Sequence, residues 1–330
     1  MNVSRVSKAF YSITGSSAAC MTKIVFNVGK NESSLIDFKT SARQYENLKL
    51  HNFSEEICQH LSKHSWKRIS LLIGSISGAD CLKLLHVFTP TAREFEFYIE
   101  NVVSQNVMAP IAFPEVDTLT FRWTSKRMFE PFTSSLNTNL KTVIIELTKC
   151  GCNRAVEEFL RHNKSILNLS IRMSSEDFNE FFTHNTSEGF EFNLQTLSFY
   201  WRLTKFVEPE IIDNWKSFLL SQKNSLTRLV FECTFDCKEV LEMIVNEMHV
   251  LQHLTFVDLD DEALLTSEKL DFVLKPNLSI TQLDVCVNWF ISDGMFEELI
   301  LALPNLEILY VVELSTRVMK YLAKNTKNLR

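Results

Sequence analysis

Glycine and proline are scarce in this chain, at seven residues each out of 330. Tight hairpins need residues that reach positive φ, so a sandwich built on two-residue turns is disfavoured. No glycine-rich cradle for a phosphate exists, and neither a G-x-G-x-x-G nor a P-loop occurs. The G-x-S-x-G turn that exposes a nucleophilic serine is missing as well. Acids come in pairs such as Glu157-Glu158 and Glu297-Glu298, which fit solvated helix faces better than a matched acid and base. The sequence therefore points away from an enzyme and gives no reason to expect a cofactor.

There is no excess of either charge large enough to dictate a partner. The 34 basic and 40 acidic residues leave a net charge of -6, which argues against nucleic acid. No run reaches the roughly 18–20 apolar residues of a membrane span, and Met1–Ser17 lacks the apolar core of a signal peptide. The expected location is cytoplasmic or nuclear, with the eight cysteines reduced and acting as small buried hydrophobes. Cys150-Gly151-Cys152 and the Cys233/Cys237 pair lack the C-x2-C spacing of a zinc site. His60 and His64 stand four apart on one helix but have no third ligand in view, so no metal site is expected.

What the chain has is phenylalanine, 26 residues of it, and a repeat. An apolar residue followed by others at +3 and +5 recurs with anchors at Met21, Tyr45, Trp66, Ala92, Val116, Leu140, Ile166, Leu194, Leu226, Leu251, Ile280 and Leu306. The first triplet is Met21, Ile24 and Phe26, and a typical central one is Val116, Leu119 and Phe121. Single triplets arise easily in a chain that is 45% apolar, but twelve at near-regular spacing do not. The gaps are unequal, and the longest follows Leu194. The +3 and +5 positions differ by two, so they share one face of a short strand. Asn or Ser precedes six of the Leu or Ile anchors, as in Ser165-Ile166 and Asn305-Leu306, where a side chain can bond the turning backbone.

Between these strands the apolar period changes to that of a helix. Ser54 N-caps a helix whose inner face carries Ile57 and Leu61. Ala155, Val156, Phe159 and Leu160 form an inward stripe, and so do Val240, Leu241, Ile244 and Val245. Ser174 through Asp177 has the form of a capping box ahead of Phe178, Phe181 and Phe182. Phe296, Leu299 and Ile300, then Val318, Tyr321 and Leu322, complete the series. A strand-turn-helix unit cannot bury its apolar face alone and must stack on its neighbours. The expected class is α/β: a curved solenoid with parallel strands on its concave face and helices on its convex face.

This pattern resembles the leucine-rich-repeat superfamily over residues 18–330, with about twelve repeats and a mean spacing near 26. The irregular spacing resembles the repeats of F-box proteins, especially the divergent insect kind. The asparagine that ladders the turn in many such repeats is replaced here by Gly29, Gly74, Thr124, Thr148, Ser174 and Thr234, with Asn288 a lone match. Val3 to Ile13, and within it Arg5-Val6-Ser7-Lys8-Ala9-Phe10, resembles the end of an F-box. Residues 1–17 are thus either a remnant of that adaptor-binding module, carried by Val6, Phe10 and Ile13, or an amphipathic helix capping the first repeat.

The resemblance implies a substrate-recognition subunit of a cullin-type (SCF) ubiquitin ligase, tied to it by a Skp-type adaptor. The alternative is an interaction scaffold with no ligase association. In both, a protein partner would lie on the concave face, at strand positions +2, +4 and +6. The candidate contacts are Arg68, Glu94, Tyr98, Arg122, Glu146, Arg172, Tyr200, Arg228 and Glu232. Trp201, at the lip of its strand, joins them, since aromatics and arginine carry much interface energy. Trp123 sits at the matching place, and Trp201 opens an inserted loop running to Pro209. Asn328-Leu329-Arg330 begins a further repeat, so both ends read as unfinished.

Overall fold

The computed structural model describes residues 25–28, 45–51, 53–88, 90–103, 115–122, 139–146, 153–174, 177, 180–181, 191, 193–202, 209–232, 238–257, 273–286, 293–312, 314–326 and 328–329. The chain divides into two compact units, Met1–Asn163 and Lys164–Arg330. The first unit holds strands β1 (Val25–Val28), β2 (Asn47–Leu50), β3 (Arg68–Ser77), β4 (Glu94–Val103), β5 (Thr118–Arg122) and β6 (Thr142–Glu146). Its helices are α1 (Glu55–Leu61), α2 (Gly78–Phe88) and α3 (Asn153–His162). The second unit holds β7 (Asn168–Ser174), β8 (Thr196–Arg202), β9 (Arg228–Glu232), β10 (His253–Val257), β11 (Gln282–Cys286) and β12 (Ile308–Val311). With them come α4 (Pro209–Ser221), α5 (Lys238–Glu247), α6 (Asp293–Leu301) and α7 (Thr316–Asn325). In each unit the strands pair in parallel, every one with the next in sequence. This is the repetitive α/β arrangement that the sequence spacing predicts.

The register joins equivalent positions of successive repeats. Ile69 faces Phe95, which faces Leu119, which faces Val143. Leu197, Leu229, Leu254, Leu283 and Leu309 form the same row in the second unit. From Trp66 to Leu306 every anchor is essentially sealed from solvent, as are the side chains at +3 and +5 from β2 to β11. The phenylalanines of unit 1 stack along these rows. Phe95 lies 4.7 Å from Phe97, and Phe97 lies 5.4 Å from Phe121, both nearly parallel. Phe88 of α2 and Phe159 of α3 meet this stack edge-on at 6.0 and 5.9 Å. Such pairs add about 0.5–1.5 kcal/mol to plain burial.

The first repeat departs from the expected assignment. Val25 stands opposite Asn47, so Phe26 and Val28, rather than Ile24 and Phe26, match Leu48 and Leu50. Val28 is buried while Val25 is 54% exposed. A slip of two residues keeps the inside-outside alternation, so the apolar pattern alone does not choose between the two registers. Met21 and Ile24 lie outside the described residues.

One carbonyl per repeat sets the height at which the next strand enters. The Lys67 oxygen accepts from the amides of both Arg93 and Glu94, at 2.9 and 3.0 Å. Arg93 and Asp117 repeat the arrangement in unit 1, as do Leu167, Gln195, Thr227, Gln252 and Thr281 in unit 2. Each of these oxygens belongs to the residue just after an anchor. The polar residue before the anchor supports the same bend. Asn305 donates to the Leu278 oxygen at 2.8 Å, and Ser225 to the Gln222 oxygen at 3.3 Å.

Helices cover the apolar face. Ser54 accepts from the Ile57 amide at 3.2 Å, capping α1 as its sequence predicts. The inward stripes of α3, α5 and α6 are buried, as are Val318 and Leu322 of α7, whereas Tyr321 is half-buried. The Ser174 hydroxyl and the Asp177 amide and carboxylate bond reciprocally at 3.2 and 2.7 Å, and Phe181 is buried. Phe178 and Phe182 lie outside the described residues. Ser77 and Asp80 repeat the capping arrangement at the start of α2, at 3.1 and 2.7 Å. Adjacent helices are tied by ion pairs: Lys216 to Glu239, at 2.9 Å, and Arg317 to Glu297, at 3.0 Å.

Two parts of the fold differ from the expected unit. β3 and β4 run ten residues each, so Gly74 lies inside a strand and not in a turn. The long repeat after Leu194 carries the longest of the described helices, the thirteen-residue α4, whose Trp215 packs 4.7 Å from Phe199. Proline at the start of α4 costs nothing, because the first helical amide has no partner within the helix.

Buried amides staple the return bends. Asn277 is fully buried and donates to the oxygens of Val245 and Met248, while its own oxygen accepts from Ser279 and Ile280. Gln222 accepts from the Leu194 amide at 2.9 Å, and Asn246 binds Lys275 at 2.7 Å.

Two measurements of unfolding free energy check this description. Phe97→Ala should cost about 3–5 kcal/mol, and Leu309→Ala, in the half-exposed β12, closer to ~1 kcal/mol. Asn277→Leu should cost roughly 2–4 kcal/mol, because it leaves two buried carbonyls and two amides without their shared partner.

Candidate functional site

Strand alternation sends the side chains at +2, +4 and +6 to the face opposite the helices. In unit 1 this face carries Arg68 and Ser70 on β3, Glu94, Glu96 and Tyr98 on β4, and Thr118 and Arg122 on β5. β6 adds Thr142 and Glu146. Arg68 faces Glu94 in register and donates to it at 2.7 Å. That bond is the main cause lifting the Arg68 guanidinium above its ordinary value. Arg122 bridges two neighbours, with Nε 2.9 Å from Glu96 and Nη1 3.5 Å from Glu146. Ser70 donates to Glu96 at 2.7 Å. The expected contact residues of unit 1 are therefore brought together, and both arginines are already engaged by carboxylates. Tyr98 stands opposite Arg122 in the register.

Unit 2 presents a different surface. Arg172 faces Tyr200 across β7 and β8, and Arg228 lies between Thr196 and His253. Both arginines are exposed. Farther along, Asp284 accepts from Thr255 at 3.2 Å and from Gln282 at 3.0 Å. Tyr310 is 60% exposed. Glu232 closes β9, opposite Val257. Trp201 lies inside β8, in register with the buried Met173. Trp123, Val6, Phe10 and Ile13 fall outside the described residues, as do Cys150, Cys152, Cys233 and Cys237.

Among the described residues no cluster of three His, Cys, Asp or Glu side chains could hold a metal ion. His60 Nδ1 lies 3.0 Å from the Glu56 oxygen one turn back, and the His64 ring lies 5.6 Å from Trp66. Burial first, then His60, lowers the His64 pKa. Burial pushes the Cys58 thiol up to about 11 and the Cys81 thiol up to about 12, so neither is a ready nucleophile near neutral pH. Among the described residues no helix is long and apolar enough to cross a membrane.

Sequence reasoning placed the exposed residues but missed their pairing. Arg122 engages the +4 carboxylate of one neighbour and the +6 carboxylate of the other. For Arg68 and Glu94 the signal was present in the near-constant spacing, which puts Arg68, Glu94, Thr118 and Thr142 in one row. A scan against protein-family models finds no match to the chain, and a search of the curated proteins finds none either.

The Arg68 and Arg122 side chains are roughly half exposed, so their ion pairs contribute little to stability. Arg122→Gln should lower the unfolding free energy by less than about 1 kcal/mol, and the difference from the parent should shrink further in molar salt.

Proposed function

We propose that this chain is a leucine-rich-repeat protein that binds another protein on the concave, helix-free face of its strands and carries out no chemistry itself. One observation carries the reading. In both units a single face of the parallel strands is sealed by apolar packing, while the other presents mainly polar and charged side chains in regular rows, with Leu72, Ile144 and Val230 among them. A face of that kind gives a partner many evenly spaced contacts without demanding burial for its own stability. The more specific role, substrate recognition for a cullin-type ubiquitin ligase, rests on the F-box resemblance of Val6, Phe10 and Ile13. The scaffold reading needs no such segment, and the face of β3 to β6 is continuous without it.

The test begins with a partner identified by cross-linking in cells, purified, and titrated against the chain. Ser70→Trp, Ser170→Trp and Ser198→Trp on the strands should weaken it roughly tenfold or more, as expected of a packed interface. Lys320→Glu and Glu247→Lys, exposed on helices, should leave the affinity unchanged. Equal effects from the two sets would refute the concave-face reading. Co-purification of a Skp-type adaptor, lost on replacing Val6, Phe10 and Ile13 with Glu, would support the ligase role. Its absence with the partner still bound would favour the scaffold.

A further inference from the structure

Building on that binding reading, we infer that the strand face of the second unit takes an extended acidic segment of a protein partner, with Arg172 and Arg228 holding its carboxylates. The two units contrast in how they treat arginine. On β3 to β6 both Arg68 and Arg122 are neutralised by glutamates of adjacent strands. On β7 to β9 Arg172 and Arg228 are both exposed, and among the described residues neither has an ion-pair partner. The polar positions around them on β7 and β8 are Asn168, Ser170, Thr196 and Ser198, which supply hydroxyl and amide groups and no acid. Asp284 is occupied by Thr255 and Gln282. Glu232 stands at the far end of β9 from Arg228.

This leaves a surface with two positive ends and neutral hydrogen-bonding groups between them. Guanidinium groups bind carboxylates through paired, charge-assisted hydrogen bonds. Strand geometry sets the spacing of those carboxylates. Arg172 and Arg228 are separated by two strand spacings and by about four residues along the strand direction, or about 16 Å, the reach of about five residues of extended peptide. The path between them crosses the middle strand at Ser198, and Tyr200, opposite Arg172, adds an amphipathic ring beside its Arg172 end.

The test uses the full chain and fluorescein-labelled peptides with two glutamates on a serine, threonine and glycine background. The glutamates are placed about three, five or seven positions apart, with glutamine twins as controls. The five-apart peptide should bind best, and its glutamine twin roughly tenfold more weakly. Arg172→Gln and Arg228→Gln should each lower its affinity about fivefold, and Lys320→Gln, exposed on α7, should leave it unchanged. Circular dichroism checks that each variant folds. Equal binding of the glutamine twin, or unchanged binding by the double Arg172→Gln, Arg228→Gln variant, would overturn the inference. No binding of any acidic peptide would do the same. If Ser170→Trp and Ser198→Trp still released the natural partner, protein binding by this face would stand and only its preference for acid would fall.

Discussion

A parallel strand can join its neighbour only if the preceding bend delivers it at the right height, and in this protein a single carbonyl per repeat performs that delivery. The oxygens of Lys67, Arg93 and Asp117 in one unit, and of Leu167, Gln195, Thr227, Gln252 and Thr281 in the other, each accept two amides of the next repeat. The anchor one residue earlier is buried to the point of having no exposed surface in most repeats, which holds the carbonyl in place. Once entry is fixed, strand alternation fixes all that follows. Side chains at +3 and +5 fall into apolar rows, and those at +2, +4 and +6 fall into polar ones.

This dependence explains what could be read from the sequence. A row closed on both sides by equivalent rows tolerates only apolar residues of suitable size, so its positions recur visibly along the chain. The anchors from Tyr45 onward and the helix stripes of α3, α5 and α6 were legible for that reason. β1 was misassigned because Ile24, Phe26 and Val28 all satisfy the same alternation, and only pairing with β2 separates them. The staples were illegible for the opposite reason. Gln222, Asn246 and Asn277 occupy no common offset, since each satisfies whatever backbone groups its own return bend leaves open. Which residues share a row of the strand face followed from spacing, but the Arg122 bridge depends on rotamers that spacing does not determine.

Charge on the strand face adds little to stability. Pairs exposed to the degree of Arg68–Glu94 and Arg122–Glu96 contribute about a kcal/mol at most. What they change is the field a partner meets. Neutralised arginines present a polar but balanced surface, whereas unpaired ones draw an opposite charge and penalise a like one. Two stretches built on the same backbone rows can therefore select for different partner chemistry without any difference in fold.

The same separation accounts for the uneven repeat length. The gaps between anchors differ, yet the strands keep matching registers in every described pair. The variation falls in the segments between strands, where α4 is longer than the other described helices and packs Trp215 against Phe199. A helix is free to lengthen because the carbonyl at the bend, and not the helix, sets the height of the next strand. Exposed residues on the polar rows, such as Arg68, Arg172 and Arg228, are constrained by neither device, because they belong to neither the anchor nor the apolar packing. On the proposed binding reading, they are the positions at which substitution would alter binding at the smallest cost to folding, and so the positions at which specificity could change while the scaffold is retained.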